Sequence, residues 1–296
     1  MSETSHNQAI SFRELSIPRE GNHLYAREYP GAGPTFVLLH GFPDNLQIYD
    51  LLIPFLVKAG RHVVAFDFLG FGASDKPAGF DYNFQQQLGD LEAVASFLHL
   101  EKIACVGHDA GGVTAIDCAL AHPELVSNLF LLNMFYGNSP TLRFPELVEL
   151  FAVPELTELA MAMAMSAEQF GFLLSFQQGQ LKKGVSAAQR DIIDSVVRPI
   201  LVANFTQVPS AGPAFAGLAS KLRDQMERNN AHLLLLKGLS ATSTLVWGES
   251  DAYLNVGVAK DIAAHLGDAS LHVLDAGHWP QLDLPEEVAA ILLAAM

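Results

Sequence analysis

The stretch that decides the fold is KIACVGHDAGG, which runs from Lys102 to Gly112. Its apolar first half is typical of a buried strand, and VTAIDCALA, which follows the glycines, is typical of a helix. The order strand, Gly-x-Asp-x-Gly-Gly, helix predicts a sharp turn that raises the side chain of Asp109 above the end of the strand. Alternatively, Asp109 only caps the helix, because Asp is a common N-cap residue.

The composition limits the classes of partner. Half of the 296 residues are hydrophobic, which suits one large domain or a core with a subsidiary lobe. The chain has 32 acidic and 17 basic residues, and its net charge of -15 argues against nucleic acid and membranes as partners. We therefore expect a small-molecule substrate and water as the partners, in a monomer or a homodimer.

Several other signals do not occur in the sequence. The first 25 residues contain no apolar signal core, so we expect a cytoplasmic protein. The two cysteines, Cys105 and Cys118, fall within apolar patterns that predict buried thiols and no disulfide framework. No spacing of residues indicates a metal, nucleotide or haem site, and we expect no cofactor.

Apolar runs alternate with amphipathic helical stretches along most of the chain, which predicts an α/β fold with a mostly parallel sheet covered by helices on both faces. Residues 139–236 interrupt this alternation with helical patterns, so we expect a core of 1–138 and 237–296 and an inserted helical cap of 139–236. Ligands bind beyond the carboxyl ends of parallel strands. The predicted strands are Thr35–Gly41, Arg61–Gly70, Lys102–Asp109, Asn128–Met134, Ser243–Gly248 and Ser270–His278.

Two residues beyond the last strands are candidate partners of Asp109. His278 ends the last predicted strand, where a catalytic base is expected, and Asp251 follows the strand before it. A carboxylate at the position of Asp251 can hold the tautomer of the imidazole and stabilise its charged form. Glu249 is the competitor for this role. The chain order of nucleophile, acid and histidine agrees with a catalytic triad.

The segment LLHGFPDN, which follows the first predicted strand, is a candidate oxyanion hole. We expect the backbone N–H groups of Phe42 and Ala110 to face the nucleophile, and Gly41 to permit the tight turn. We expect His40 to be a structural hydrogen-bonding residue and not a second base.

These segments resemble the α/β-hydrolase superfamily, and in particular its branch of haloalkane dehalogenases and epoxide hydrolases with an aspartate nucleophile. The resemblance rests on HGFPDN, FDFLGFGASDKP, VGHDAGG, WGESD and AGHWPQLDLPEE, which lie at both ends of the predicted core. It implies that Asp109 attacks saturated carbon to form an alkyl ester. Water activated by His278, with Asp251 as its support, would then hydrolyse this ester.

The groups that stabilise a leaving group in that branch do not match this sequence. Haloalkane dehalogenases place Trp, and fluoroacetate dehalogenases Arg, directly after the nucleophile, where this chain has Ala110. Epoxide hydrolases use two cap tyrosines, and the predicted cap contains none. We expect carbon–halogen cleavage, because halide leaves more readily than an unprotonated alkoxide, with epoxide hydrolysis as the alternative.

The predicted cap is rich in Phe and Met, which suits a hydrophobic substrate. An equally good interpretation is that these side chains only pack the cap against the core. Candidate substrate contacts are Tyr136, Phe151, Phe176 and Trp279, and further candidates for polar contacts are Asn133, Asn204 and Gln177.

Functions of other classes remain open on the same fold. A serine-type esterase is disfavoured because Asp109 replaces the hydroxyl nucleophile. A cofactor-free oxygenase could keep His278 and Asp251 and use Asp109 only for positioning. A non-catalytic ligand sensor would explain the missing leaving-group donors, although the three intact triad residues argue against a decayed enzyme.

Overall fold

The computed structural model describes residues 10–164 and 166–296. Its centre is an eight-stranded sheet in the order β1-β2-β4-β3-β5-β6-β7-β8. β1 pairs antiparallel with β2, β2 pairs antiparallel with β4, and all other pairs are parallel. The strands are β1 Arg13–Arg19, β2 Asn22–Tyr29, β3 Ala32–Leu39, β4 Arg61–Phe66, β5 Ile103–Asp109, β6 Val126–Met134, β7 Thr242–Gly248 and β8 Ala269–Leu274.

All six predicted strands are present, and the expected mostly parallel sheet is confirmed. Three of them end early, β3 at Leu39, β4 at Phe66 and β8 at Leu274, because the chain turns there into loops at the carboxyl edge. The antiparallel hairpin of β1 and β2 was not predicted. Its turn uses Glu20 and Gly21, which both have positive φ angles, as two-residue hairpin turns require.

Helices cover both faces of the sheet because adjacent residues of each strand point to opposite faces. On β5, Cys105 packs into a core with α2, α3 and α11, whereas Val106 packs into a second core with α1 and α13. The helices are α1 Ile53–Lys58, α2 Phe84–Phe97, α3 Ala110–Ala121, α4 Glu146–Ala152, α5 Thr157–Ala164, α6 Ala167–Leu181, α7 Ala187–Ile192, α8 Arg198–Thr206, α9 Gly212–Ser220, α10 Leu222–His232, α11 Val256–His265, α12 Pro280–Asp283 and α13 Pro285–Ala294.

The inserted region between β6 and β7 contains α4 to α10 and, within its described residues, no strand. Asn204 on α8 attaches this region to the loop after β3, because its side-chain amide donates to the backbone carbonyls of Pro43 (2.6 Å) and Asp44 (2.9 Å). The inserted helices therefore lie against the loops at the carboxyl edge of the sheet. The exact boundaries of core and cap stay a prediction.

Within the described ranges, no single helix is both long enough and apolar enough to cross a membrane. One sharply bent pair, Pro154–Ala164 with Glu168–Leu181, meets the length and composition criteria when its two helices are taken together.

Candidate active site

Asp109 occupies a strained turn between β5 and α3. Its backbone has φ 52° and ψ -126°, a conformation that residues other than glycine rarely adopt. The glycines around it are required by close packing, since a Cβ on Gly111 would lie 2.4 Å from the carbonyl oxygen of Leu39. The Asp109 carboxylate does not cap α3. The turn therefore directs this side chain away from the helix and towards the carboxyl edge of the sheet.

His278 and Asp251 come together with Asp109 at this edge. The Nδ1 atom of His278 lies 2.7 Å from Oδ2 of Asp251, and its Nε2 atom lies 3.8 Å from Oδ2 of Asp109. Glu249, the competing carboxylate, is exposed. The imidazole thus bridges two carboxylates that are distant in the sequence.

Asp251 is held by four donors. Its Oδ1 accepts from the backbone N–H groups of Tyr253 (2.9 Å) and Leu254 (3.1 Å), and its Oδ2 also accepts from the side-chain amide of Asn133 (2.9 Å). Burial would raise the pKa of Asp251, but the charge of His278 and these hydrogen bonds outweigh burial and lower it. Asp251 is therefore an ionised carboxylate with a fixed orientation.

The same charges determine the protonation of His278. Burial lowers the pKa of its imidazole, yet the charge and hydrogen bond of Asp251, together with Asp109 and Asp44, raise it to about 9. Burial likewise raises the pKa of Asp109, against the lowering effects of His278 and of the N–H groups of Ala110 and Phe42. At neutral pH the resting site is an imidazolium between carboxylates.

The expected oxyanion-hole donors lie beside the nucleophile. The N–H of Phe42 points at Oδ1 of Asp109 at 3.4 Å, and the N–H of Ala110 also lowers the pKa of this carboxylate. Gly41 makes the approach possible, because a Cβ there would lie 2.6 Å from Cβ of Asp109. His40 is buried and bonds the carbonyl of Gly41 and the N–H of Phe68, so its contacts are structural.

A small cavity of about 70 Å³ opens above these groups. Its base is formed by core residues that include Phe42, Asp109, His278 and Trp279. The inserted helices supply the facing side with mostly apolar residues, which include Leu147, Val148, Leu174, Leu181, Leu201 and Phe215. The mostly apolar lining, with a few polar groups at its base, suits a small hydrophobic substrate.

Three of the four predicted substrate contacts lie elsewhere. Tyr136 is buried behind the site, where its hydroxyl donates to Asp117 at 2.8 Å. Phe151 packs behind Phe215 (5.2 Å between ring centroids) and does not line the cavity. Phe176 is 41% exposed on the outer surface of α6. Trp279 does line the cavity, as expected.

The three predicted polar contacts have different positions and roles in the structure. Asn133 supports Asp251 and Asn204 attaches α8 to the core, so the structure uses both for positioning. Gln177 lines the cavity, but its amide oxygen accepts from the N–H of Leu147 (3.1 Å) and its nitrogen donates to the Tyr253 hydroxyl (2.8 Å). Neither end of the Gln177 amide is free to bind a substrate.

Three polar cavity residues were not predicted from the sequence, namely Asp44, Gln178 and Tyr253. Asp44 lies inside the HGFPDN motif, which was a usable signal. Tyr253 lies two residues after Asp251 in a loop, where no helix or strand period predicts the direction of a side chain. Its hydroxyl bonds Glu146 as well as Gln177. No pattern distinguished Gln178 from other glutamines of α6.

Asp44 is a third carboxylate near the imidazole of His278, and its charge also raises the pKa of that imidazole. Its Oδ2 accepts from the indole N–H of Trp279 at 3.1 Å and lies 3.7 Å from Nδ1 of His108. Burial raises the pKa of Asp44 to about 6, against the effects of Trp279 and His278. When it is ionised, Asp44 therefore helps to hold His278 in its charged form.

A sequence model described as alpha/beta hydrolase fold matches residues 34–285. The chain belongs to the alpha/beta hydrolase fold family. This hydrolase is 26% identical to epoxide hydrolase 3 of Xenopus tropicalis over 304 residues, which cover 94% of this chain and 78% of that relative. It is 38% identical to a fluoroacetate dehalogenase of Burkholderia sp over 108 residues, about a third of each protein (35%).

A solved structure with the same fold is that of the epoxide hydrolase CorEH without ligand. It superposes on this hydrolase with a TM-score of 0.74 at 19% identity and covers 96% of this chain and 97% of its own. This superposition shows the fold. The sequence relatives confirm the expected resemblance to a branch with epoxide hydrolases and dehalogenases.

Proposed function

We propose that this hydrolase cleaves a small apolar electrophile through a covalent ester of Asp109. The observation that carries the proposal is a carboxylate at the strained turn, 3.8 Å from the imidazole of His278 and open to an apolar cavity. An ionised carboxylate attacks saturated carbon without a base. One Asp109 oxygen forms a bond to carbon while the leaving group departs with the bonding electron pair.

Ester formation changes the protonation of His278. The charge of Asp109 is one of the causes that raise the pKa of His278 to about 9, and esterification removes this charge. The pKa of the imidazole therefore falls after the first step, which favours transfer of its proton to solvent and the action of His278 as a base. Alkylation thus prepares the site for hydrolysis.

Hydrolysis then proceeds at the carbonyl carbon of the Asp109 ester. His278 takes a proton from water, the hydroxide adds to this carbon, and Asp251 stabilises the resulting imidazolium. The N–H groups of Phe42 and Ala110 stabilise the oxyanion. Collapse expels the alkoxide, which takes the proton from His278 and becomes the alcohol. The carboxylic acid left on Asp109 then gives its proton to His278, which restores the carboxylate and the imidazolium.

For the leaving group, we favour halide. Among the described residues, Tyr253 is the tyrosine that lines the cavity, and its hydroxyl is engaged with Glu146 and Gln177, so it is not placed to protonate an alkoxide. Halide departs without a proton. The similarity to a fluoroacetate dehalogenase over part of the chain supports this choice.

Epoxide opening is the second candidate. It is supported by the relatives that match over most of the chain, such as the epoxide hydrolase 3 of Xenopus tropicalis. Both candidates share the Asp109 ester and differ in the group that leaves.

The test is intact-protein mass spectrometry of His278→Ala, incubated with a panel of short haloalkanes and, separately, a panel of short epoxides. We expect an adduct on Asp109, because the ester forms without the imidazole and then persists. Exposed His272, replaced in His272→Ala, is the matched control and should accumulate no adduct. Absence of an adduct with either panel in folded His278→Ala would refute the covalent mechanism.

A further inference from the structure

The cavity contains one polar side chain whose role is still unexplained, that of Gln178 on α6. Gln178 is 5% exposed and lines the cavity. Its backbone carbonyl accepts from the N–H of Lys182 (3.2 Å), as expected in a helix. Within the described ranges, its side-chain amide has no hydrogen-bond partner. The amide atoms of Gln178 are not among the fully buried side-chain atoms that lack a partner, so they face open space and can bind a ligand there.

The neighbouring Gln177 provides a comparison within the same helix turn. Gln177 is equally buried, but Leu147 and Tyr253 occupy both ends of its amide. Gln177 is therefore structural, whereas the Gln178 amide keeps its N–H donors for the cavity.

The position of Gln178 follows from the geometry of displacement at saturated carbon. The attacking oxygen and the leaving group lie on opposite sides of the carbon, so the leaving group must depart away from Asp109. Asp109 is at the base of the cavity, and α6 belongs to the inserted helices that form the facing side. We propose that the Gln178 amide donates a hydrogen bond to the departing halide, an inference that rests on the proposed function.

The chemistry of an amide makes this assignment selective. An amide N–H stabilises an anion by donating a hydrogen bond, but it does not give up its proton to an alkoxide. Gln178 therefore favours leaving groups that depart as stable anions. We therefore expect a preference for short haloalkanes over epoxides. Gln178 would provide the halide donor in place of the Trp that this chain lacks after the nucleophile.

The test compares Gln178→Leu with Gln178→Met, which keeps a side chain of similar length, adds no charge and removes both N–H donors. Gln180→Leu is the matched control, because it makes the same change on the same helix and Gln180 only accepts from exposed Lys183. Each change is made in the His278→Ala background, and adduct formation with 1-bromobutane and with 1,2-epoxybutane is timed by mass spectrometry. We expect both Gln178 variants to slow the bromobutane reaction about 10- to 100-fold and the epoxide reaction less than about threefold.

A second readout does not depend on turnover. Trp279 lines the cavity, whereas Trp247 is fully buried with its N–H on the carbonyl of Leu254, so bromide quenching should report on Trp279. We expect saturable quenching by sodium bromide, at constant ionic strength, that weakens at least about fivefold in both Gln178 variants and not in Gln180→Leu.

The outcomes separate the two proposals. If adducts form but neither Gln178 variant changes their rate or the quenching, the halide role of Gln178 is wrong and the ester mechanism stands. If no adduct forms in any background but quenching depends on Gln178, the ester mechanism fails and the anion site stands. If Gln178→Leu does not fold, Gln178→Met decides the matter.

Discussion

Replacing Asp251 by Asn tests how the charge on His278 is held. The substitution keeps the size of a buried side chain and removes one charge at 2.7 Å from Nδ1 of His278. The amide also presents either a donor or an acceptor to Nδ1, so the tautomer of the imidazole is no longer fixed.

The expected magnitude follows from the pKa of His278. Burial lowers this pKa, and Asp251, Asp109 and Asp44 raise it from 6.5 to about 9. The difference is a factor of roughly 300 in proton affinity, or about 3 kcal/mol. Loss of one opposite charge at this distance lowers a pKa by about 1 to 3 pH units. We therefore expect a pKa between about 6 and 8 in Asp251→Asn.

The same charge contributes to stability. Because the pKa of His278 in the folded protein lies above 6.5, the contribution is complete below pH 6.5 and is lost as the pH rises through about 9. The free energy of unfolding of the wild type should fall across this window by up to about 3 kcal/mol more than that of Asp251→Asn.

The assay is a pH titration of the imidazole by NMR, with the His278 signal assigned by its loss in His278→Gln. Urea unfolding at pH 6 and pH 9 measures the stability change. Glu249→Gln is the matched control, since it removes a nearby exposed carboxylate. An unchanged pKa in Asp251→Asn, or an equal decrease in Glu249→Gln, would refute the electrostatic account of the site.

Three further predictions concern the nucleophile and the packing of the cavity. Gly41→Ala would place a methyl group 2.6 Å from Cβ of Asp109, so we expect adduct formation to slow about 100-fold, as quenched flow would measure. A rate within about threefold of the parent would contradict the close approach. Burial, opposed by His278, raises the pKa of Asp109 above 3.8, so adduct formation should decline at acid pH with a midpoint above 3.8. A rate that stays constant down to pH 3.8 would show that burial does not control this carboxylate. Tyr253→Phe leaves the buried amide of Gln177 without its acceptor, so the free energy of unfolding in urea should fall by about 1 to 3 kcal/mol. A decrease below about 0.5 kcal/mol would mean that this bond adds nothing to the attachment of α6.

Local sequence patterns were sufficient to predict the sheet and the order of the candidate site residues along the chain. Buried parallel strands form continuous apolar runs, and the glycines around Asp109 are needed wherever backbone approaches as closely as Gly111 approaches Leu39. The N-terminal hairpin was missed because its strands alternate polar and apolar residues at a sheet edge and contain Pro18. Such strands have a weaker apolar signal than central ones.

The inserted helices show where local patterns fail. Phe176 and Gln178 lie two positions apart on α6, yet Phe176 is exposed and Gln178 is buried against the cavity. Hydrophobicity alone predicts the reverse. Which side of a helix meets the core depends on how the helix packs. In α6, the helical periodicity of the hydrophobic residues does not identify the buried side.

The sequence by itself determined the fold class, the strained turn at Asp109 and the chain order of Asp109, Asp251 and His278. These depend on strand pattern and on which residue follows each strand, and parallel strands end at one common edge. Only the tertiary structure decided which carboxylate meets His278, where Tyr136 lies and which glutamine faces the cavity. Those outcomes are set by distances between side chains on elements far apart in the chain, which arise only when the elements pack.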